Sequence, residues 1–71
     1  MVREYRYVKS SNLQGVAYDA ETSELHVQFT NGTEYVYSDV PESDYDGLLG
    51  AASVGSYFND NIKNAYTYRR A

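Results

Sequence analysis

Cysteine and tryptophan are absent from this chain, and its 71 residues include one proline and one histidine. Without cysteine there is no disulfide, no thiolate-bound zinc and no cysteine nucleophile. A lone His26 leaves multi-histidine metal sites and histidine relays without raw material. No apolar run approaches the roughly 20 residues of a membrane span. The segment Met1-Val2-Arg3-Glu4-Tyr5-Arg6 lacks the apolar stretch of a signal peptide. These absences lead to the expectation of a cytoplasmic protein that does not engage a membrane. The length accommodates one domain, expected to occupy residues 1–71.

Positive charge is scarce as well. Six Lys and Arg stand against ten Asp and Glu, for a net charge of −4. An acidic chain is a poor starting point for binding nucleic acid unless its basic residues are gathered in one place. Here all of them lie near the ends: Arg3, Arg6 and Lys9 at one, Lys63, Arg69 and Arg70 at the other. The ends of a small domain often lie close together. The two segments therefore read either as solvated tails or as halves of one positive patch on an acidic body. What the chain does have is tyrosine, nine residues in all. Arginine and tyrosine interleave in Tyr5-Arg6-Tyr7 and in Tyr66-Thr67-Tyr68-Arg69-Arg70, a combination that suits phosphate pairing with base stacking.

Leu25, Val27 and Phe29 alternate with His26, Gln28 and Thr30, the two-residue period of a half-buried strand. Val16-Ala17-Tyr18 reads as the strand before it. A loop over Ala20 to Ser23 would set Val16 opposite Val27 and Tyr18 opposite Leu25. Asn31-Gly32 is the strongest turn signal and leads into Glu34-Tyr35-Val36-Tyr37. A two-residue loop at Asn31-Gly32 would place Tyr35 and Tyr37 on the polar face. A loop of Thr30, Asn31 and Gly32 with a bulge at the glycine would place them on the apolar face. The slip of one residue moves both tyrosines across the sheet. The bulged loop is favoured because so short a chain needs its large aromatics near the core.

Pro41, Glu42 and Asp44 mark a helix start, and Tyr45, Leu48, Leu49 and Ala52 form an amphipathic stripe that should end near Ala52. Ser53 can cap a second helix with Val54, Phe58, Ile62 and Ala65 on its apolar side. The fold expected is α+β: a three-stranded antiparallel meander, packed on one face by two short C-terminal helices. A fourth, N-terminal strand is the open alternative.

The chain resembles the KTSC domain family, named for the C-terminus of some lysyl-tRNA synthetases. The resemblance is carried by Lys9-Ser10-Ser11-Asn12, Val16-Ala17-Tyr18-Asp19 and Leu25-His26-Val27-Gln28-Phe29. It continues through Asn31-Gly32, Tyr35-Val36-Tyr37, Val40-Pro41 and Tyr45, and closes on Ser53-Val54-Gly55-Ser56-Tyr57-Phe58-Asn59, Ile62 and Tyr66. The family also occurs as stand-alone proteins of bacteria and phages, which the resemblance implies for this chain. The synthetase context implies RNA as a ligand, with Tyr35 and Tyr37 at the family's central Tyr-x-Tyr motif. Two positions depart from the family pattern. Ser23 stands where glycine is common, and the segment from Ser53 to Tyr66, often basic in relatives, carries Asp60 and several Asn with only Lys63.

No residue set points to catalysis. Glu42, Asp44 and Asp46 should face water at a helix start, which is no setting for acid–base chemistry. Gly47 and Gly50 lack the Lys and Ser/Thr of a phosphate loop. Ser10, Ser11 and Asn12 should turn the chain into a strand, and Gly55 should allow a close approach of backbone. Asn59, Asp60, Asn61 and Asn64 read as a solvated helix face, and His26 as an exposed, neutral surface residue. The expectation is a non-enzymatic binding domain with no cofactor and no metal. The first function class is binding of single-stranded RNA through Tyr35, Tyr37, Tyr66 and Tyr68 with Arg3, Arg6, Lys9, Arg69 and Arg70. The alternative is a protein-interaction module, such as a phage-encoded modulator of a host protein, favoured by acidic charge and many tyrosines.

Overall fold

The apolar alternation of Leu25, Val27 and Phe29 forms the middle of the sheet in the computed structural model, which describes residues 5–71. The strands are β1 Arg6–Tyr7, β2 Leu13–Asp19, β3 Glu24–Phe29, β4 Glu34–Tyr37 and β5 Tyr68–Arg70; α1 Glu42–Gly50 and α2 Val54–Asn61 lie between β4 and β5. All five strands form one antiparallel sheet in the order β1-β2-β3-β4-β5. The α+β class is as expected, but two edge strands are added to the three of the meander, and the helices are followed by a strand. β1 and β5 have too few residues to show an alternation. They form because β2 and β4 would otherwise present unpaired backbone at the sheet edges.

Both hairpins take the favoured registers. Val16 faces Val27, Tyr18 faces Leu25 and Asp19 faces Glu24. Asp19 Oδ1 accepts from the Glu21 amide at 3.0 Å, closing the turn. In the second hairpin Leu25 faces Tyr37 and Val27 faces Tyr35. The Phe29 amide donates to the Thr33 carbonyl at 2.8 Å and the Gly32 amide to the Phe29 carbonyl at 3.0 Å. Gly32 takes a φ of 92°, a backbone region open to glycine and costly for other residues. Gly32→Ala should therefore lower the unfolding free energy by about 1 kcal/mol, with Gly32→Asn losing less. Urea midpoints read this directly. Equal midpoints for all three chains would mean that the bulged turn, and with it the placement of both tyrosines, is wrong.

Pro41 sits at the N-cap of α1, and the helix stops at Gly50, short of the expected Ala52. Ser53 caps α2 as its position suggests, its Oγ accepting from the Ser56 amide at 3.3 Å. Val54, Phe58 and Ile62 are buried, whereas Ala65 is exposed because the chain leaves the helix at Ile62. The core lies between the helices and one sheet face, where Leu13, Val16, Leu25, Val27 and Tyr37 meet Val40, Leu48, Phe58 and Ile62. Tyr18 stacks on Tyr45 with centroids 5.3 Å apart, and its hydroxyl donates to the Val40 carbonyl at 2.5 Å. Among the described residues no helix is long and apolar enough to cross a membrane.

Candidate functional site

With Tyr35 and Tyr37 on the helix-covered face, the pairing of β4 with β5 decides what joins them. Tyr37 faces Tyr68 and Tyr35 faces Arg70, so Tyr68 and Arg70 stand on that same face at its outer edge. Tyr37 is buried and packs edge-on against Phe58 with centroids 5.4 Å apart. Phe29 meets Phe58 and Tyr35 edge-on, at 5.7 and 5.6 Å. Tyr68 lies 5.4 Å from Tyr35 and 5.3 Å from Tyr37 and is 58% exposed. The five rings surround a cleft of about 240 Å³ whose remaining wall is Asn12, Asn59, Lys63 and Asn64. Tyr37 and Phe58 make the floor and Tyr68 the lip. Burial, together with Tyr68 and Tyr35 nearby, pushes the Tyr37 hydroxyl pKa up, so this floor stays uncharged.

The amide wall is set by a close approach. A Cβ on Gly55 would lie 3.0 Å from Asn12 Oδ1 and 3.1 Å from Ser10 Oγ. Its absence lets the chain before β2 press against α2. There Ser10 Oγ donates to Asn12 Oδ1 at 2.9 Å, and the Asn12 carbonyl accepts from the Thr30 amide at 3.0 Å. Ser10 and Asn12 thus turn the chain as expected, but Asn12 also reaches the cleft.

The other residues expected at a binding site are dispersed. β1 and β5 are opposite edges of the sheet, about 19 Å apart along it at the usual strand spacing. A meander with five strands sends its first and last to opposite edges, so Arg6 and Arg69-Arg70 do not merge into the expected patch. Arg6 faces Val16 on the helix side of the far edge. Arg69 faces Val36 on the other side of the sheet, and its Nη1 is 2.9 Å from Glu24 Oε2. That bond holds the Glu24 carboxyl below its usual range. Lys9 lines a separate polar groove with Ser10, Ser11, Ser53 and Ser56, which shares Asn12 and Asn59 with the aromatic cleft. Arg3 lies outside the described residues.

The tyrosine pairs do not share one surface either. Tyr5 donates its hydroxyl to Glu34 on the face away from the helices, and Tyr7 is 78% exposed opposite Gly15. Burial, then the bond to Glu34, pushes the Tyr5 pKa up. Tyr66 donates to Asp44 Oδ2, and Tyr57 donates to Oδ1 of the same carboxylate at 3.2 Å. Asp44 is therefore only half-exposed, not turned fully to water as its place in the first turn of α1 suggested; it joins α1 to α2 and to the segment entering β5. His26 is also less exposed than expected, its side chain being 16% accessible. Its Nδ1 lies 3.8 Å from Glu34 Oε2, and its Nε2 is buried without a hydrogen-bond partner among the described residues. The alternation within β3 could not reveal that Tyr5 and Glu34 meet on that face.

The bond to Asp44, then burial, raises the Tyr66 hydroxyl pKa to about 12. Burial, then the same carboxylate, raises that of Tyr57. The folded state thus retains phenolic protons that the unfolded chain releases near pH 10. This contribution is complete below about pH 10 and is lost as the pH climbs through about 12. Urea midpoints should fall over that interval, and less so for Tyr66→Phe. Parallel curves for the two chains would refute the Asp44 linkage.

Asn59 and Asn64 were readable only as part of a solvated helix face and Lys63 only as one of the basic residues near the C-terminal end, yet all three wall the cleft. The one available signal was Lys63, the sole basic residue between Ser10 and Thr67. No group of three or more His, Cys, Asp or Glu able to hold a metal occurs among the described residues.

The KTSC domain model matches residues 9–66. A protein of Tsukamurella paurometabola is 38% identical over 56 residues, covering 79% of this chain and 84% of its own length. An uncharacterized protein of Stutzerimonas stutzeri is 39% identical over 64 residues, covering 89% and 90%. The crystal structure of a KTSC domain protein from Yersinia pestis superposes with a TM-score of 0.92 at 29% identity, over 100% of this chain and 99% of that one. The matched segment contains the whole amide wall of the cleft and all its rings except Tyr68.

Proposed function

This chain belongs to the KTSC domain family, and we propose that it is a non-catalytic binding domain whose aromatic cleft takes single-stranded nucleic acid, RNA foremost. The observation that carries this reading is the exposed Tyr68 ring beside Tyr35, over a floor of Phe58 and Tyr37 and next to Lys63. Rings of this kind offer faces to bases, and a neighbouring ammonium offers a partner to phosphate. Arg70, opposite Tyr35 on β5, adds a second cation on the same face. Arg69, paired with Glu24 on the other side, and Arg6 at the far edge are not needed.

Tyrosine fluorescence tests this in a chain without tryptophan. Short single-stranded RNA should quench it at about 50 mM salt and less so at about 200 mM. Tyr68→Ala should weaken binding by about tenfold, the scale of one lost stack, and Arg69→Ala should leave it near the parent value. Absence of quenching at the lower salt would sink the nucleic-acid reading and turn the search to a protein partner by pull-down.

A further inference from the structure

Resting on the nucleic-acid reading above, we infer that the cleft takes one unpaired base at a time and reads its edge with amides. A track for a run of stacked bases needs successive ring faces that lie parallel along the strand. Most of the rings here are set against that, and the pair nearest to parallel, Tyr37 and Tyr68 at 34°, includes a ring buried in the floor. Tyr35 and Tyr68 are inclined at 79°, Phe29 and Phe58 at 74°, and Tyr37 and Phe58 at 86°. Tyr37 is only 3% exposed and Phe58 only 1%, so neither has a face to give to a second base. One recess bounded by Tyr35 and Tyr68 remains.

The polar side of that recess is chemically suited to a base edge. Asn12, Asn59 and Asn64 each carry an amide, the group that pairs with adjacent donors and acceptors on a base. The Oδ1 of Asn12 already accepts from Ser10, which leaves its NH₂ to donate to a base acceptor. Among the described residues only Lys63 lines the cleft as a cation, with Arg70 on the same face. Affinity in such a site comes from stacking and edge contacts, which is how a chain of net charge −4 can hold a polyanion.

Two phosphate contacts on a single strand correspond to a slope of about −1.4 for log K against log salt. The test titrates the whole chain with oligoadenylates of three and twelve nucleotides, their oligouridylate counterparts, and a twelve-nucleotide abasic strand. The expected slope is about −1.4, reduced by about 0.7 in Lys63→Ala. The longer strand should bind about fourfold better than the shorter, in proportion to the single bases it offers, and the abasic strand at least about tenfold worse. Asn59→Ala and Asn64→Ala, at exposed positions, should change the preference between A and U without moving the slope. Circular dichroism checks that both variants fold. A slope of about −3 or steeper, or equal binding of the abasic strand, would overturn the one-base site while leaving nucleic-acid binding in place. Failure of every strand to bind would overturn the underlying reading itself.

Discussion

Phe58→Ala should lower the unfolding free energy by about 3–5 kcal/mol, the usual cost of removing a buried aromatic ring. The ring is 1% exposed and packs edge-on against Phe29 from β3 and Tyr37 from β4. It is thus the point where α2 is fastened to the sheet. Edge-to-face pairs contribute about 0.5–1.5 kcal/mol beyond the area they bury, and this ring makes two of them. At about 0.05–0.15 kcal/mol per residue, a domain this size holds roughly 4–11 kcal/mol in total. The loss is therefore a large share of the total, and at the lower end of that range it brings the variant to its unfolding midpoint without denaturant. Phe58→Leu keeps most of the volume and should lose far less. Urea titrations of the three chains decide the matter, and a loss below about 1 kcal/mol for alanine would show that the ring is not enclosed.

The second large effect is expected at Asp44. Its carboxylate accepts phenolic hydrogen bonds from Tyr57 and Tyr66, and bonds to a charged acceptor contribute about 1.5–3 kcal/mol each. Both phenols are partly open to water, which reduces that figure, so Asp44→Ala should lose about 2–4 kcal/mol. A smaller part is the acidic charge at the start of α1, about 0.3–1 kcal/mol. Tyr57 can reach Asp44 because Gly47 has no side chain; a Cβ there would lie 2.7 Å from Tyr57 Cζ. A double-mutant cycle of Asp44→Ala with Tyr66→Phe separates the pair from the rest, with a coupling of about 1–2 kcal/mol expected. Additive losses would mean that Tyr66 gains nothing from the carboxylate. Since Tyr66 lies two residues before Tyr68, the same bond steadies the entry of β5 and hence the lip of the cleft. Tyr66→Phe should accordingly weaken RNA binding even though Tyr66 does not line the cleft.

The three central strands, both hairpin registers and the cap of α2 were legible because their causes are local. Alternation in β3, the Asn31-Gly32 turn and the Ser53 hydroxyl act within a few residues. The preference for the bulged turn came from one global argument, that a small chain must place its aromatics against the core. The family was legible through the resemblance of the ordered motifs, and the match over residues 9–66 bears that out. Tertiary structure alone decided the rest. β1 and β5 have two and three residues, too short for a periodic signal, and they exist because neighbouring strands offer backbone partners. Their place at opposite edges is what separates the basic ends. The cleft draws Asn12 from the chain before β2, Phe29 from β3, Tyr35 and Tyr37 from β4, Phe58 and Asn59 from α2, Lys63 and Asn64 from the turn after it, and Tyr68 from β5. No spacing along the sequence encodes that meeting, because it is made by strand order and by the packing of α2 on the sheet.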